Sequence, residues 1–154
     1  MVNWEKLWLV ETDTVCGIGC FYNDCNLEDL YVAKNRSKDK KIMILVGSIS
    51  QAQSFKAWNK KASLWAKKNW PGAHSIIVNN QGFRMPNSKK LCDFLLQNGP
   101  MFLTSANISG NPVLSLSEAK KTFENISNFV EIEPENITNI PSSIYDLDKN
   151  IYYR

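Results

Sequence analysis

The chain is 154 residues long, 44% hydrophobic, and carries five tryptophans, which suits one domain with a substantial core and leaves little room for two. Its 18 Lys and Arg against 15 Asp and Glu leave a net +3, a bias that allows an anionic ligand of nucleotide size and falls short of a dedicated nucleic-acid binder. No apolar run approaches the roughly 20 residues that cross a bilayer, and Glu5 and Lys6 interrupt the apolar N-terminus, so the chain reads as soluble, cytoplasmic and without a membrane partner.

Leu7 to Val10 is short and apolar enough for a buried strand and runs straight into Glu11, Thr12, Asp13 and Thr14, so a dry strand ends in hydroxyls. Gly17 and Gly19 form a Gly-x-Gly pair, but no third glycine or helix start completes a dinucleotide-binding fingerprint. Asn26, with Asp29 three residues on, reads as a loose capping box for a helix ending near Asn35. Lys34, Arg36, Lys38, Lys40 and Lys41 then cluster ahead of a strand over Ile42 to Val46; on its own this is a solvated basic loop.

Ser50 is expected to cap a helix bearing Ala52, Phe55 and Trp58, followed by a second with Leu64, Trp65 and Lys67 that closes before Trp70-Pro71-Gly72, the aromatics facing the core. Ser75 to Val78 reads as a strand, Asn80-Gln81-Gly82 as a turn, and Phe83-Arg84-Met85 as a short strand stopped by Pro86. Strict alternation turns Arg84 away from its apolar neighbours, toward solvent or toward a cleft. Ser88 caps a helix through Leu91, Phe94 and Leu95 that Gly99 and Pro100 end.

Met101, Phe102 and Leu103 have the bulk of a buried strand and lead without a break into Thr104, Ser105, Asn107, Ser109 and Gly110. Such an end is either a turn that satisfies its own backbone or a place where the chain comes close to an anionic or sugar-like ligand. Ser117 and Glu118 open a further helix, Phe129 to Ile132 is a candidate strand, Pro134 to Asn139 a loop, and Ile144 to Leu147 pairs with Ile151 to Arg154 as a hairpin. The alternation of strands and helices predicts one α/β domain with a mixed sheet. Cys16, Cys20, Cys25 and Cys92 contain no Cys-x-x-Cys pair and His74 is the single histidine, so four free thiols, a structural histidine and no zinc site are expected.

In order and rough spacing, Thr12-Asp13-Thr14-Val15-Cys16-Gly17-Ile18-Gly19, Lys34-Asn35-Arg36, Trp70-Pro71-Gly72, Arg84-Met85-Pro86, Thr104-Ser105-Ala106-Asn107-Ile108-Ser109-Gly110 and Pro141-Ser142-Ser143-Ile144-Tyr145-Asp146 resemble the motifs of the YrdC/TsaC family. The resemblance runs from about Leu7 to Arg154. Members of that family are threonylcarbamoyl-AMP synthases. It implies a single-domain, twisted open mixed sheet with flanking helices over residues 1–154, with a concave, positively charged cleft. The implied reaction joins L-threonine, bicarbonate (or carbon dioxide) and ATP into L-threonylcarbamoyl-AMP and pyrophosphate, with Mg²⁺ arriving on ATP rather than on protein side chains. The product would pass to a separate tRNA threonylcarbamoyl transferase complex.

Carried onto the matching positions, the resemblance makes Lys34 and Arg36 the catalytic cations. Arg36, Lys40, Asn107, Ser115 and Arg154 would hold ATP, and Thr12, Arg84, Ser105 and Ser142 would hold threonine, with Arg84 on its carboxylate. These residue types suit a step in which a carbamate must meet a triphosphate, because cations bring the two anions together. Glu11, Cys16, Ser37 and Lys41 depart from the family pattern. The alternative is a non-catalytic module that binds double-stranded RNA or the ribosome, and weak RNA binding is compatible with either.

Overall fold

The computed structural model describes residues 1–154. The apolar runs fold as nine strands: β1 (Trp8–Val10), β2 (Gly17–Phe21), β3 (Met43–Leu45), β4 (His74–Val78), β5 (Gln81–Arg84), β6 (Met101–Ser105), β7 (Asn128–Val130), β8 (Ser143–Asp146) and β9 (Ile151–Tyr152). They form one sheet in the order β7-β1-β2-β6-β3-β5-β4-β8-β9. Three neighbouring pairs, β1 with β7, β3 with β5 and β4 with β8, are parallel, and the other five are antiparallel. The expected mixed α/β sheet is what forms.

Five helices flank it: α1 (Leu27–Lys34), α2 (Ile49–Gln53), α3 (Lys60–Asn69), α4 (Lys89–Asn98) and α5 (Leu116–Thr122). Their starts follow from short polar side chains that accept the first free backbone N–H groups. Asn26 accepts from Glu28, Asn59 from Ala62 and Ser88 from Leu91. Two starts differ from the sequence reading. Ser48, not Ser50, caps α2, and Ser115 with Glu118 forms the capping box of α5 in place of Ser117. The chain reverses one residue earlier than expected, at Asn79 and Asn80, both with positive φ, so Gln81 and Gly82 already belong to β5.

Period-two alternation divides the sheet into two unlike faces. Ile44, Val46, Ile76, Val78 and Phe83 pack with Ala62 and Ala66 of α3, while Ile18 and Cys20 pack with Leu30 of α1 and Ala119 of α5. The opposite face is covered only in part, by Leu91 and Leu95 of α4 against Leu45, Met101 and Leu103. Past α4 that second face lies open. Gly17 and Gly19 serve the sheet rather than a phosphate loop: a side chain at Gly19 would run into the Phe102 carbonyl of β6.

The four free thiols are corrected to two. Cys20 is the last residue but one of β2, and the turn between that strand and α1 brings Cys25 back to a Cα separation of 5.4 Å, where the two are joined in a disulfide; Cys16 and Cys92 remain free and buried. A pairing across five residues depends on the tertiary turn and not on a Cys-x-x-Cys spacing. No helix of the chain is long and apolar enough to cross a membrane.

Candidate functional site

The uncovered part of the second face forms a cleft of about 280 Å³. Strand ends build it: Thr12 and Thr14 after β1, Gly17 opening β2, Arg84 closing β5, Thr104 and Ser105 closing β6, and Ser75 on β4. Arg36, Lys41 and Arg154 complete it. Four cations and no carboxylate line the cavity.

Arg84 was left between solvent and cleft by its sequence, and it lies in the cleft wall, buried. Its Nη1 donates to Asp13 Oδ1 at 2.8 Å and to the Gly72 carbonyl at 3.0 Å, and its Nη2 to Thr14 Oγ1 at 3.1 Å. Much of its donor capacity is therefore spent within the protein, and Asp13 offsets its charge. Thr12 Oγ1 caps the same corner, donating to the Val15 carbonyl at 2.7 Å and lying 3.1 Å from Thr14 Oγ1. On the far wall Ser142 and Ser75 share a hydroxyl hydrogen bond of 2.7 Å, and Arg154 Nε donates to the Ser142 carbonyl at 2.7 Å. Glu11, which would repel an anion, turns away to accept the Ile132 N–H at 3.0 Å.

Lys34 stands behind the cleft and not in it. It is 1% exposed, the largest of the fully buried side chains, and its Nζ donates to the Ser105 carbonyl at 2.5 Å, Asn107 Oδ1 at 3.1 Å, Thr104 Oγ1 at 3.2 Å and Ser105 Oγ at 3.3 Å. All four acceptors are neutral. Burial, then the charges of Arg36 and Lys40, push its pKa down to about 8. Asn107 is held the same way: Oδ1 also accepts from Ser105 Oγ at 2.8 Å, and Nδ2 donates to the Asn111 carbonyl at 2.7 Å. Lys34 and Asn107 thus fix the turn after β6 from inside.

Of the ten positions singled out from the sequence, Thr12, Arg36, Arg84, Ser105, Ser142 and Arg154 line one cavity. Lys34 and Asn107 touch Ser105 from behind it. Lys40 and Ser115 line none of it. Lys40 offers its carbonyl to Tyr31 at 2.9 Å and to Arg36 Nε at 3.4 Å, and the Ser115 hydroxyl accepts the Glu118 N–H. Lys41, Thr14, Thr104 and Ser75 were missed as contacts. The signal for Lys41 was present as the next residue of the basic cluster, and for Ser75 as the polar start of β4, but nothing in a single sequence fixes which of two adjacent lysines faces inward. Arg36 curls onto its own loop, Nη2 donating to the Lys41 carbonyl at 2.9 Å, which positions Lys41 at the cleft edge.

An open mixed sheet with helices over one face, α4 over part of the other, and a hydroxyl- and cation-lined cleft beside α4 defines an α/β domain whose cleft has the chemistry to suit a small anionic ligand. A family model named Sua5_yciO_yrdC, described as Telomere recombination, matches residues 1–153. The chain belongs to the Sua5/YciO/YrdC family. It is 32% identical over 166 residues to the threonylcarbamoyl-AMP synthase of Pseudoalteromonas translucida, covering 90% of this chain and 84% of that one. It is 29% identical over 149 residues to protein MG259 of Mycoplasma genitalium, covering 91% of this chain but spanning only 30% of that protein. Among solved structures, P. abyssi Sua5 complexed with L-threonine superposes with a TM-score of 0.78 at 24% identity, over 93% of this chain and 47% of that one. E. coli YciO superposes with a TM-score of 0.77 at 19% identity, over 99% and 84%. At such identities the two structures speak for the fold.

Proposed function

We propose that this chain catalyses threonylcarbamoyl-AMP synthesis from L-threonine, bicarbonate and ATP. The observation that carries the reading is the gathering of Thr12, Arg36, Arg84, Ser105, Ser142 and Arg154, drawn from six separated segments, around one cavity. The name of the Pseudoalteromonas relative and the threonine in P. abyssi Sua5 support it. The threonine amine and bicarbonate give a carbamate and water. A carbamate oxygen then attacks the α-phosphorus of ATP, and pyrophosphate leaves with the electron pair of the broken P–O bond.

Arg36, Lys41 and Arg154 offset the triphosphate charge while Thr12, Ser75, Ser105 and Ser142 offer hydroxyls to the polar groups of threonine. Because the lining holds cations and hydroxyls and no carboxylate, Mg²⁺ enters as the counter-ion of ATP. The adenylate serves a tRNA-modifying transferase, which receives the threonylcarbamoyl group. Pyrophosphate release from ATP, followed with and without L-threonine and bicarbonate, tests the reading. Release that needs all three, and falls on the order of a hundredfold in Arg36→Ala, supports it; release indifferent to threonine overturns it.

A further inference from the structure

The helices do not close over the whole of their own face of the sheet. Leu30 of α1 and Ala119 of α5 pack on Ile18 and Cys20 of β2, Ala62 and Ala66 of α3 pack on Ile76 and Val78 of β4, and the two groups share one flanking side chain, Phe102 of β6. Phe102 stands opposite Ile44 of β3, and Ile44 opposite Phe83 of β5, so three adjacent strands lay a single row along the seam between the helix groups. Over that row lies a cavity of about 580 Å³, walled by Tyr22 after β2 and by Phe55 and Ala57 after α2. It is on the side of the sheet away from the cleft, since Met43 and Leu45, on either side of Ile44 in sequence, line the cleft instead.

The walls are aromatic. Between ring centroids Tyr22 is 4.9 Å from Phe55 and 5.1 Å from Phe102, and Phe55 is 5.4 Å from Phe83, the first and last pairs meeting edge to face. Tyr22 is nevertheless 41% exposed. The polar side chains of the lining are Asn23, Ser54, Lys56 and Gln81, and no carboxylate is among them. Lys56 is exposed and takes part in none of the five ion pairs, and the acid closest in sequence to the Tyr22 wall, Asp24, is held by Lys6 at 2.7 Å. The hydroxyls of Tyr31, Tyr145 and Tyr153 bond within the protein, whereas that of Tyr22 has no protein partner. An apolar, ring-lined space thus carries one uncompensated cation and a free hydroxyl donor at its rim.

We propose that this seam is a binding site for a planar aromatic monocarboxylate, separate from the cleft and independent of the reaction proposed for it. The volume falls within the roughly 300–1,000 Å³ of small-molecule sites. Four rings presenting faces and edges favour a further ring over an aliphatic body. One ammonium without a counter-charge selects one carboxylate. A partner helix would bring apolar anchors spread over two or more turns, and the floor here is one row across three strands.

The test titrates 2-naphthoate into the full chain by calorimetry, with 2-naphthylmethanol (the ring without the charge) and cyclohexanecarboxylate (the charge without the aromatic ring) beside it. A Kd between about 0.01 and 1 mM is expected for a ligand of that size, and each comparison compound should bind at least about threefold more weakly. Lys56→Gln should weaken naphthoate by about threefold to fivefold and leave the alcohol unchanged. Tyr22→Ala should weaken both by at least about fivefold. Circular dichroism and pyrophosphate release should match wild type in both variants, which separates failure of this site from failure of the cleft. Saturating ATP should leave the naphthoate isotherm unchanged; displacement would put the probe in the cationic cleft and overturn the proposal. Absence of saturable binding up to about 5 mM probe, an affinity untouched by either variant, or equal affinities for the three compounds would overturn it as well. Sedimentation of the free chain as a dimer that Tyr22→Ala dissociates would overturn it in favour of a second copy seated in the seam.

Discussion

Asp13→Ala strands the Arg84 guanidinium in the cleft wall. The two side chains are 5% and 6% exposed, and removing one partner of a buried pair costs about 3–5 kcal/mol because the other charge is left without compensation. Arg84 keeps the Gly72 carbonyl and the Thr14 hydroxyl, which places the cost near the lower end, about 3 kcal/mol. For a domain of this size each kcal/mol lowers Tm by about 2–4 °C, so the expected drop is about 6–12 °C. Urea unfolding read by the fluorescence of the five tryptophans, with calorimetry beside it, measures both quantities. Adding Arg84→Met to Asp13→Ala should restore part of the loss, because the second change removes the group that the first one stranded. A loss below about 0.5 kcal/mol, or strict additivity in the pair, would refute the claim that these charges depend on each other.

Lys34 supplies a pH prediction. Its folded pKa, about 8, lies below its ordinary 10.5, so between those values the unfolded chain binds the extra proton and stability rises with pH. The unfolding free energy of wild type relative to Lys34→Met should climb by up to about 3 kcal/mol from pH 8 to pH 10.5; a pH-independent difference would contradict it. Lys41→Met should raise the KM for ATP about tenfold with little change in kcat, while Lys40→Met should leave both nearly unchanged, as steady-state pyrophosphate release will show. Gly19→Ala should destabilise by about 1–3 kcal/mol in urea unfolding, because the new methyl meets the immovable Phe102 carbonyl.

Helix ends and strand ends were legible in the sequence because they depend on near neighbours. Asn26, Ser88, Gly99 and the run from Met101 to Ser105 act within a few residues of themselves, and motif order added the cleft residues Arg36, Ser105 and Ser142. What escaped depends on partners far along the chain. Asp13 finds Arg84 across 71 residues and Lys34 finds Asn107 across 73, so nothing local marks Lys34 as an internal clamp rather than a ligand contact. Ser115 escaped for a different reason, because its partner Glu118 is only three residues on and its hydroxyl closes its own helix: a Ser/Glu pair three apart reads equally as a cap or as a donor to a ligand until the cap is seen.

The way charge is distributed around the cleft follows from these internal pairings. Arg84 is the only one of the four lining cations with a carboxylate at salt-bridge distance, so its field is largely spent at home, and Lys34 lies behind the wall among neutral oxygens. Arg36, Lys41 and Arg154 therefore set the potential inside the cavity, and they come from the basic loop and the chain end rather than from the rigid sheet. Hydroxyls and a neutralised arginine at the strand ends suit one part of the cleft to a polar, weakly charged group, and three cations without a carboxylate partner suit the other to a strongly anionic one. On the proposed reading, threonine and ATP would divide between those two environments, whereas a neutral sugar would leave the three cations without a counter-charge.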